Sequence, residues 1–221
     1  MKFDILTLFP DMIHPYLEDS ILKRAQEKKL IEVELHDWRE FSKDKHRAVD
    51  DSPYGGGTGM VLQVQPIYDQ LKELDLLKRN EKTKVFMMAP DGEQFTHAKA
   101  VEFSKLDRLV LIAGRYEGFD KRIEEFVDGK VSVGPYVLSG GELPALTILE
   151  ATARQIPEVI GHSGEALKNE TFVDGETDFP QYTRPETFKT GEGGELKVPE
   201  VLLSGDHKKI AEWRKSQQMQ V

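Results

Sequence analysis

Few side chains in this sequence stand where they could do chemistry. Arg154 follows Ala151 and Ala153 late in an otherwise apolar helical stretch, where a charge must be paired or must point into a cleft. Glu170, Asp174, Glu176 and Asp178 lie together in a polar stretch. A carboxylate can take a proton from a substrate, and an arginine can hold developing negative charge. Composition alone favours plainer roles: Arg154 complementing a helix dipole, and the acids as a solvated loop.

Other chemistries lack a carrier. With no cysteine there are no disulfides, thiolate nucleophiles or cysteine-bound zinc, which fits a reducing compartment. The six histidines show no H-x-x-x-H pairing, so a histidine-built metal site is not expected. No G-x-S-x-G elbow occurs. The glycine-rich SPYGGGTGM, residues 52–60, lacks the Gly-Lys-Ser/Thr ending of a P-loop and does not match G-x-G-x-x-G. Taken alone it reads as a flexible loop.

What remains is main chain. In VSVGPYVLSGGELPAL, residues 131–146, an apolar run stops at Gly134-Pro135, resumes, and stops again at Gly140-Gly141 before a helical pattern. Such a segment is either a sharply bent buried loop or a backbone that wraps a ligand closely. Strand-like apolar runs cover residues 3–8, 31–36, 85–89, 109–113 and 130–133. Helical patterns lie between them at 17–28, 66–77, 97–104, 120–126 and 142–156. This alternation predicts a mainly parallel α/β sheet with helices on both faces. Ligands in such sheets bind at the carboxyl ends of the strands. Three of those ends run into glycine-containing loops: Pro90-Asp91-Gly92, GRYEG at 114–118, and the interrupted segment itself. Together they would make a pocket walled by backbone groups, able to read an adenine edge and hold a ribose.

The 221 residues suit one large domain with a small appendage. No apolar run is long enough for a membrane span, and the amino terminus does not resemble an export signal. A cytoplasmic location is expected. The net charge of −9 argues weakly against a polyanionic partner, because a local patch outweighs the total. Lys43, Lys45, His46 and Arg47 form one basic patch. Lys208, Lys209, Arg214 and Lys215 are a second candidate around Trp213, and composition alone favours ordinary solvated faces for both. The boundaries predicted are a body at 1–160, a mobile linker at 161–178 and a short helical tail domain at 179–221, with Asp206 capping a helix through Trp213.

Several ordered motifs carry a family resemblance. They are LTLFP at 6–10, KHRAVDDSPYGGGTGMVL at 45–62, GRYEG, VGPYVLSGGELPAL, PQYTRPE at 180–186 and VPEVLLSGDHKKIAEWR at 198–214. Together they closely resemble the bacterial tRNA (guanine-N(1)-)-methyltransferases, the TrmD family, over essentially the whole chain. The resemblance implies a SPOUT-type fold with a trefoil knot that includes the interrupted segment. It also implies bound S-adenosylmethionine, a homodimer whose sites use both subunits, a magnesium requirement, and methylation of ring nitrogen 1 of guanosine 37 in tRNA.

Carried across motif by motif, the cofactor site comprises Pro90, Gly92, Gly114, Tyr116 and Glu117, with Val133, Gly134, Pro135, Tyr136, Val137, Leu138, Gly140 and Gly141. Substrate contacts are expected from Tyr54, Gly55, Gly59, Arg184, Lys208 and Arg214. Glu170 stands first as general base and Asp178 second, with Arg154 stabilising the guanine oxygen. Three departures accompany the match. Glu170-Thr171-Phe172 replaces the family's Asp-Ser-Phe, Pro135 replaces an Asp, and the sequence stops soon after Trp213-Arg214, so part of the usual tRNA grip is expected to be missing. Two alternatives are a SPOUT methyltransferase on another RNA site and a non-catalytic cofactor-binding RNA module.

Overall fold

The computed structural model describes residues 1–160, 171–172 and 177–219, and the chain divides into two compact units, Met1–Ser163 and Gly164–Val221. The first unit is built on a five-stranded sheet of order β2-β1-β6-β5-β7. Its strands are β1 (Lys2–Thr7), β2 (Glu32–Asp37), β5 (Thr83–Gln94), β6 (Arg108–Ile112) and β7 (Gly129–Ser132), all pairing in parallel. Short β3 (Asp50–Asp51) and β4 (Val61–Leu62) form a separate antiparallel pair.

Side-chain alternation sends the strands' apolar residues into two layers. Phe3, Ile5, Phe86, Met88, Leu109, Leu111 and Val131 face one core, shared with α1 (His14–Leu17), α2 (Ser20–Glu27), α4 (His97–Phe103) and α5 (Glu142–Arg154). Leu6, Val85, Met87, Val110 and Ile112 face the other, under α3 (Val64–Glu73) and the 3₁₀ turns Trp38–Phe41 and Lys121–Phe126. The expected sheet and both helical layers are therefore present. The predicted helix at 120–126 is a 3₁₀ helix, and the one at 17–28 begins at Ser20, where Asp19 accepts a hydrogen bond from the Ser20 amide.

One strand departs from expectation. β5 does not end at Ala89 but continues to Gln94 through a bulge, so Val131 pairs with both Met88 and Glu93. Pro90, having no amide donor, sits in the bulge rather than in the ladder. A Cβ at Gly92 would lie 2.6 Å from the Lys130 carbonyl carbon and the Val131 amide nitrogen, so only glycine fits there.

A fully buried carboxylate ties three strands together. Asp4 of β1 accepts hydrogen bonds from Arg108 of β6 and from His36 of β2, each at 2.7 Å. Burial alone would raise its pKa, but those two hydrogen bonds and their charges hold the carboxyl below its ordinary value.

The second unit contains the antiparallel ribbon β8 (Thr187–Lys189) and β9 (Glu195–Lys197), then α6 (Glu200–Leu203) and α7 (His207–Gln217). Asp206 caps α7 by accepting from the Lys208 and Lys209 amides, as its spacing predicts. The ribbon was not predicted; its strands are three residues each and largely polar, too short to show a period. Among the described residues, no helix is long and apolar enough to cross a membrane.

Candidate cofactor and active site

The carboxyl ends of β5, β6 and β7 open into a cavity of about 470 Å³. Its walls are the β5 bulge, residues 114–121 after β6, and the segment from β7 into α5. Ser132 turns that segment, its hydroxyl donating to the Gly134 carbonyl at 3.0 Å and accepting from the Gly134 amide at 3.3 Å. Tyr136 folds back, donating its amide to the Gly134 carbonyl and its hydroxyl to the Val133 carbonyl at 3.2 Å. A Cβ at Gly134 would stand 2.2 Å from the Tyr136 ring. The first stop in the interrupted segment thus makes a tight turn, and the second brings Gly141 against Gly114.

Every predicted cofactor residue lines this cavity except Gly92 and Pro135. Gly92 serves the bulge instead, packing against β7. Tyr136, Val137 and Leu138 supply apolar wall while remaining 54%, 82% and 41% exposed, an apolar surface left open on the cavity side. Sequence reasoning missed Arg115, Phe119 and Lys130, which also line it. Arg115 and Phe119 lie in the loop after β6 and Lys130 in β7, and only the pairing of β5 with β6 and β7 brings them to one cavity.

The electrostatics select among ligands. Arg115, Lys121 and Lys130 are the cations in the lining. Arg115 pairs with Glu142, Lys121 with Glu124, and Lys130 with Asp91 and Glu124. The Lys130 contact holds the Asp91 carboxyl below its ordinary value, and Asp91 in turn raises the Lys130 ammonium. Cations neutralised in this way are poorly placed to hold a di- or triphosphate. Main-chain polar groups beside aromatic and aliphatic walls suit a nucleoside that carries no phosphate.

The loop at residues 52–60 abuts the cavity. The Glu117 amide donates to the Met60 carbonyl at 3.0 Å and the Leu62 amide to the Gly118 carbonyl at 2.9 Å. A Cβ at Gly59 would collide with the Glu117 side chain at 2.4 Å. Tyr54 and Gly55 stand free at the tip, Tyr54 fully exposed. The expected flexible loop is therefore anchored at its base.

Arg154 is not in the cavity lining. It is the last residue of α5, half-buried, and the helix rise puts it about 18 Å along the axis from Glu142. In the second unit, Asp178 is exposed; its amide donates to Thr171 Oγ1 and its carboxylate accepts from the Phe179 amide. Arg214 lies over the Phe179 ring at 4.6 Å, and Tyr182 approaches Trp213 at 6.3 Å. Arg184 and Lys208 are exposed. Glu170 lies outside the described residues.

Among the described residues, one cluster has metal-ligand types, Asp4, Glu34 and His36. It is already paired with Arg108 and Lys2 and sits on β1 and β2, not at the cavity.

A parallel sheet with helices on both faces, whose strand ends enclose a cavity of about 470 Å³, defines an α/β domain with a candidate cofactor site. The family model described as tRNA (Guanine-1)-methyltransferase TrmD matches residues 1–221, and the chain belongs to that family. The tRNA (guanine-N(1)-)-methyltransferases of Staphylococcus aureus strains JH9, Newman and N315 are each 47% identical to it over 220 residues, covering 99% of this chain and 86% of theirs.

Proposed function

We propose that this protein transfers the methyl group of S-adenosylmethionine to ring nitrogen 1 of guanosine 37 in tRNA. The observation that carries the reading is the phosphate-averse, main-chain-walled cavity in a chain of this family. S-adenosylmethionine, bound there, supplies an activated methyl group. Gly114, Gly134, Gly140 and Gly141 allow close approach of backbone, Tyr136, Val137 and Leu138 cover the apolar part, and Pro90, Tyr116, Glu117 and Val133 complete the wall. Gly92 shapes the β5 bulge by packing against β7.

Guanine nitrogen 1 is a poor nucleophile until its proton leaves. Glu170 takes that proton, with Asp178 as the second candidate, for roughly a 10²–10⁴-fold gain in rate. Arg154 holds the charge that then moves to the exocyclic oxygen. The target base leaves its stack to reach the cavity.

The enzyme works as a homodimer whose sites combine two subunits. Support comes from Arg154, about 15 Å along α5 from Pro144 at the cavity rim of its own chain. Further support comes from large apolar side chains left exposed at Phe9, Met12 and Tyr16 and, on α5, at Leu143. The Tyr16 hydroxyl bonds to Glu150, which joins α1 to α5.

The fold is read as the SPOUT type, with residues 131–146 in a trefoil knot. Residues 1–160 form the catalytic body, 161–178 the linker carrying the acids, and 179–221 the tRNA-binding tail. Tyr54, Gly55 and Gly59 contact the tRNA from the body, and Arg184, Lys208 and Arg214 from the tail. Magnesium is required for transfer, and the enzyme works in the cytoplasm.

The test is transfer of labelled methyl to two tRNA transcripts, one with guanosine at position 37 and one with adenosine. Label on the first alone, recovered as 1-methylguanosine, is expected. Equal labelling of both would reject the target.

A further inference from the structure

Glu142 opens α5 and is only 2% exposed, so no ligand in the cavity touches it. Its sequence position suggests nothing beyond a first-turn acid complementing the helix dipole. A buried carboxylate needs more than a dipole, and this one has specific partners. Glu142 Oε1 accepts from the Thr7 hydroxyl of β1 at 3.1 Å and from Arg115 Nε at 3.3 Å. Glu142 Oε2 lies 3.0 Å from Arg115 Nη2, an ion pair without an aligned hydrogen bond.

Arg115 extends the pair to the remaining walls. It lines the cavity between Gly114 and Tyr116, and its Nη1 reaches the Ser139 carbonyl at 3.5 Å. Its guanidinium also lies over the Phe9 ring at 4.6 Å. One ion pair therefore joins the end of β1, the loop after β6, the segment at 139–141 and the start of α5. Gly140 fits the same arrangement: a Cβ there would stand 2.4 Å from both Arg115 Nε and Glu142 Oε2. The glycine leaves room for the pair.

We infer that Glu142 is a positioning residue for the cofactor site. Through Arg115 it fixes the separation of the loop at 114–118 from the segment at 139–141, and with it the width of the cavity. This rests on the reading of the cavity as the S-adenosylmethionine site. Glu142 acts on cofactor affinity, not on proton transfer.

Calorimetric titration of S-adenosylmethionine into the wild-type protein, E142Q, R115M and the double variant tests the inference. Glutamine keeps the shape and the Oε1 acceptor shared by Thr7 and Arg115 Nε, but it removes the charge and turns a donor toward Arg115 Nη2. Each single variant is expected to weaken binding about tenfold, and the double variant no further, because both changes break one interaction. At saturating cofactor, kcat and the KM for tRNA of E142Q, whose altered side chain lies outside the cavity lining, stay within about threefold of wild type. In cofactor-free R115M, whose altered side chain is the partly exposed member of the pair, the amides of residues 139–141 exchange faster with solvent. That measurement decides the matter if E142Q fails to fold.

Unchanged affinity in folded E142Q, a hundredfold loss in the double variant, or unaltered exchange at 139–141 in R115M would overturn the inference. Absence of binding by the wild-type protein would instead remove the cavity reading on which it rests.

Discussion

The Gly141 amide donates to the Gly114 carbonyl at 2.8 Å, joining the interrupted segment to the loop after β6. A Cβ on Gly141 would lie 2.7 Å from Ala113 Cα and 2.8 Å from the Gly114 nitrogen, and neither backbone atom can swing aside. G141A is expected to part the two walls and weaken S-adenosylmethionine binding at least tenfold. The overpacking itself costs about 1–3 kcal/mol of stability. G191A, with open space around its Cβ, stays within about 0.5 kcal/mol. Calorimetry and thermal melts of the two variants make the comparison.

The Asp4 carboxyl is held below its ordinary value, so its contribution to stability is full above the unfolded value near 3.8. That contribution fades as pH falls through the lower folded value. D4N leaves Arg108 and His36 facing an uncharged amide. The expected loss is about 3 kcal/mol at pH 7, the low end for a broken buried pair because Arg108 keeps some solvent contact. Urea melts should show the gap between D4N and wild type shrinking at pH 3.

The solvent-facing side of α5 carries Leu143, which is 61% exposed. If this face pairs two copies, L143D puts a charge into an apolar contact. Light scattering should give twice the 25.1 kDa chain mass for wild type and the single mass for L143D. Methyl transfer by L143D should be lost together with the dimer.

The proposed general base and charge-stabilising arginine should separate kinetically from cofactor binding. E170Q or D178N, whichever removes the true base, lowers kcat by about 10²–10⁴-fold with cofactor affinity intact. R154A lowers kcat by about 10²–10³-fold. Single-turnover methyl transfer at saturating cofactor measures both. Full activity in both acid variants would remove the linker acids from the mechanism.

The sheet was legible because its strands are buried on both faces and read as apolar runs; the parallel order then follows from intervening helices such as α3 and α4. The cavity was legible through its glycines, since Gly114, Gly134 and Gly141 mark the points where no side chain fits. The β5 bulge was not, because Pro90-Asp91-Gly92 reads equally as a strand end. Nor was the Glu142–Arg115 pair, since neither residue's type announces burial and they meet only when β1, β6 and α5 assemble. The separation of Arg154 from the cavity likewise needs the direction of α5, which spacing alone does not give.

The most direct measurement is amide hydrogen exchange with and without S-adenosylmethionine. Protection concentrated at residues 113–118 and 133–141, with the Gly141 amide among the slowest, is the predicted result. Binding that leaves those two segments unprotected, or protects a different edge of the sheet, would contradict a cofactor held by the main chain at these strand ends.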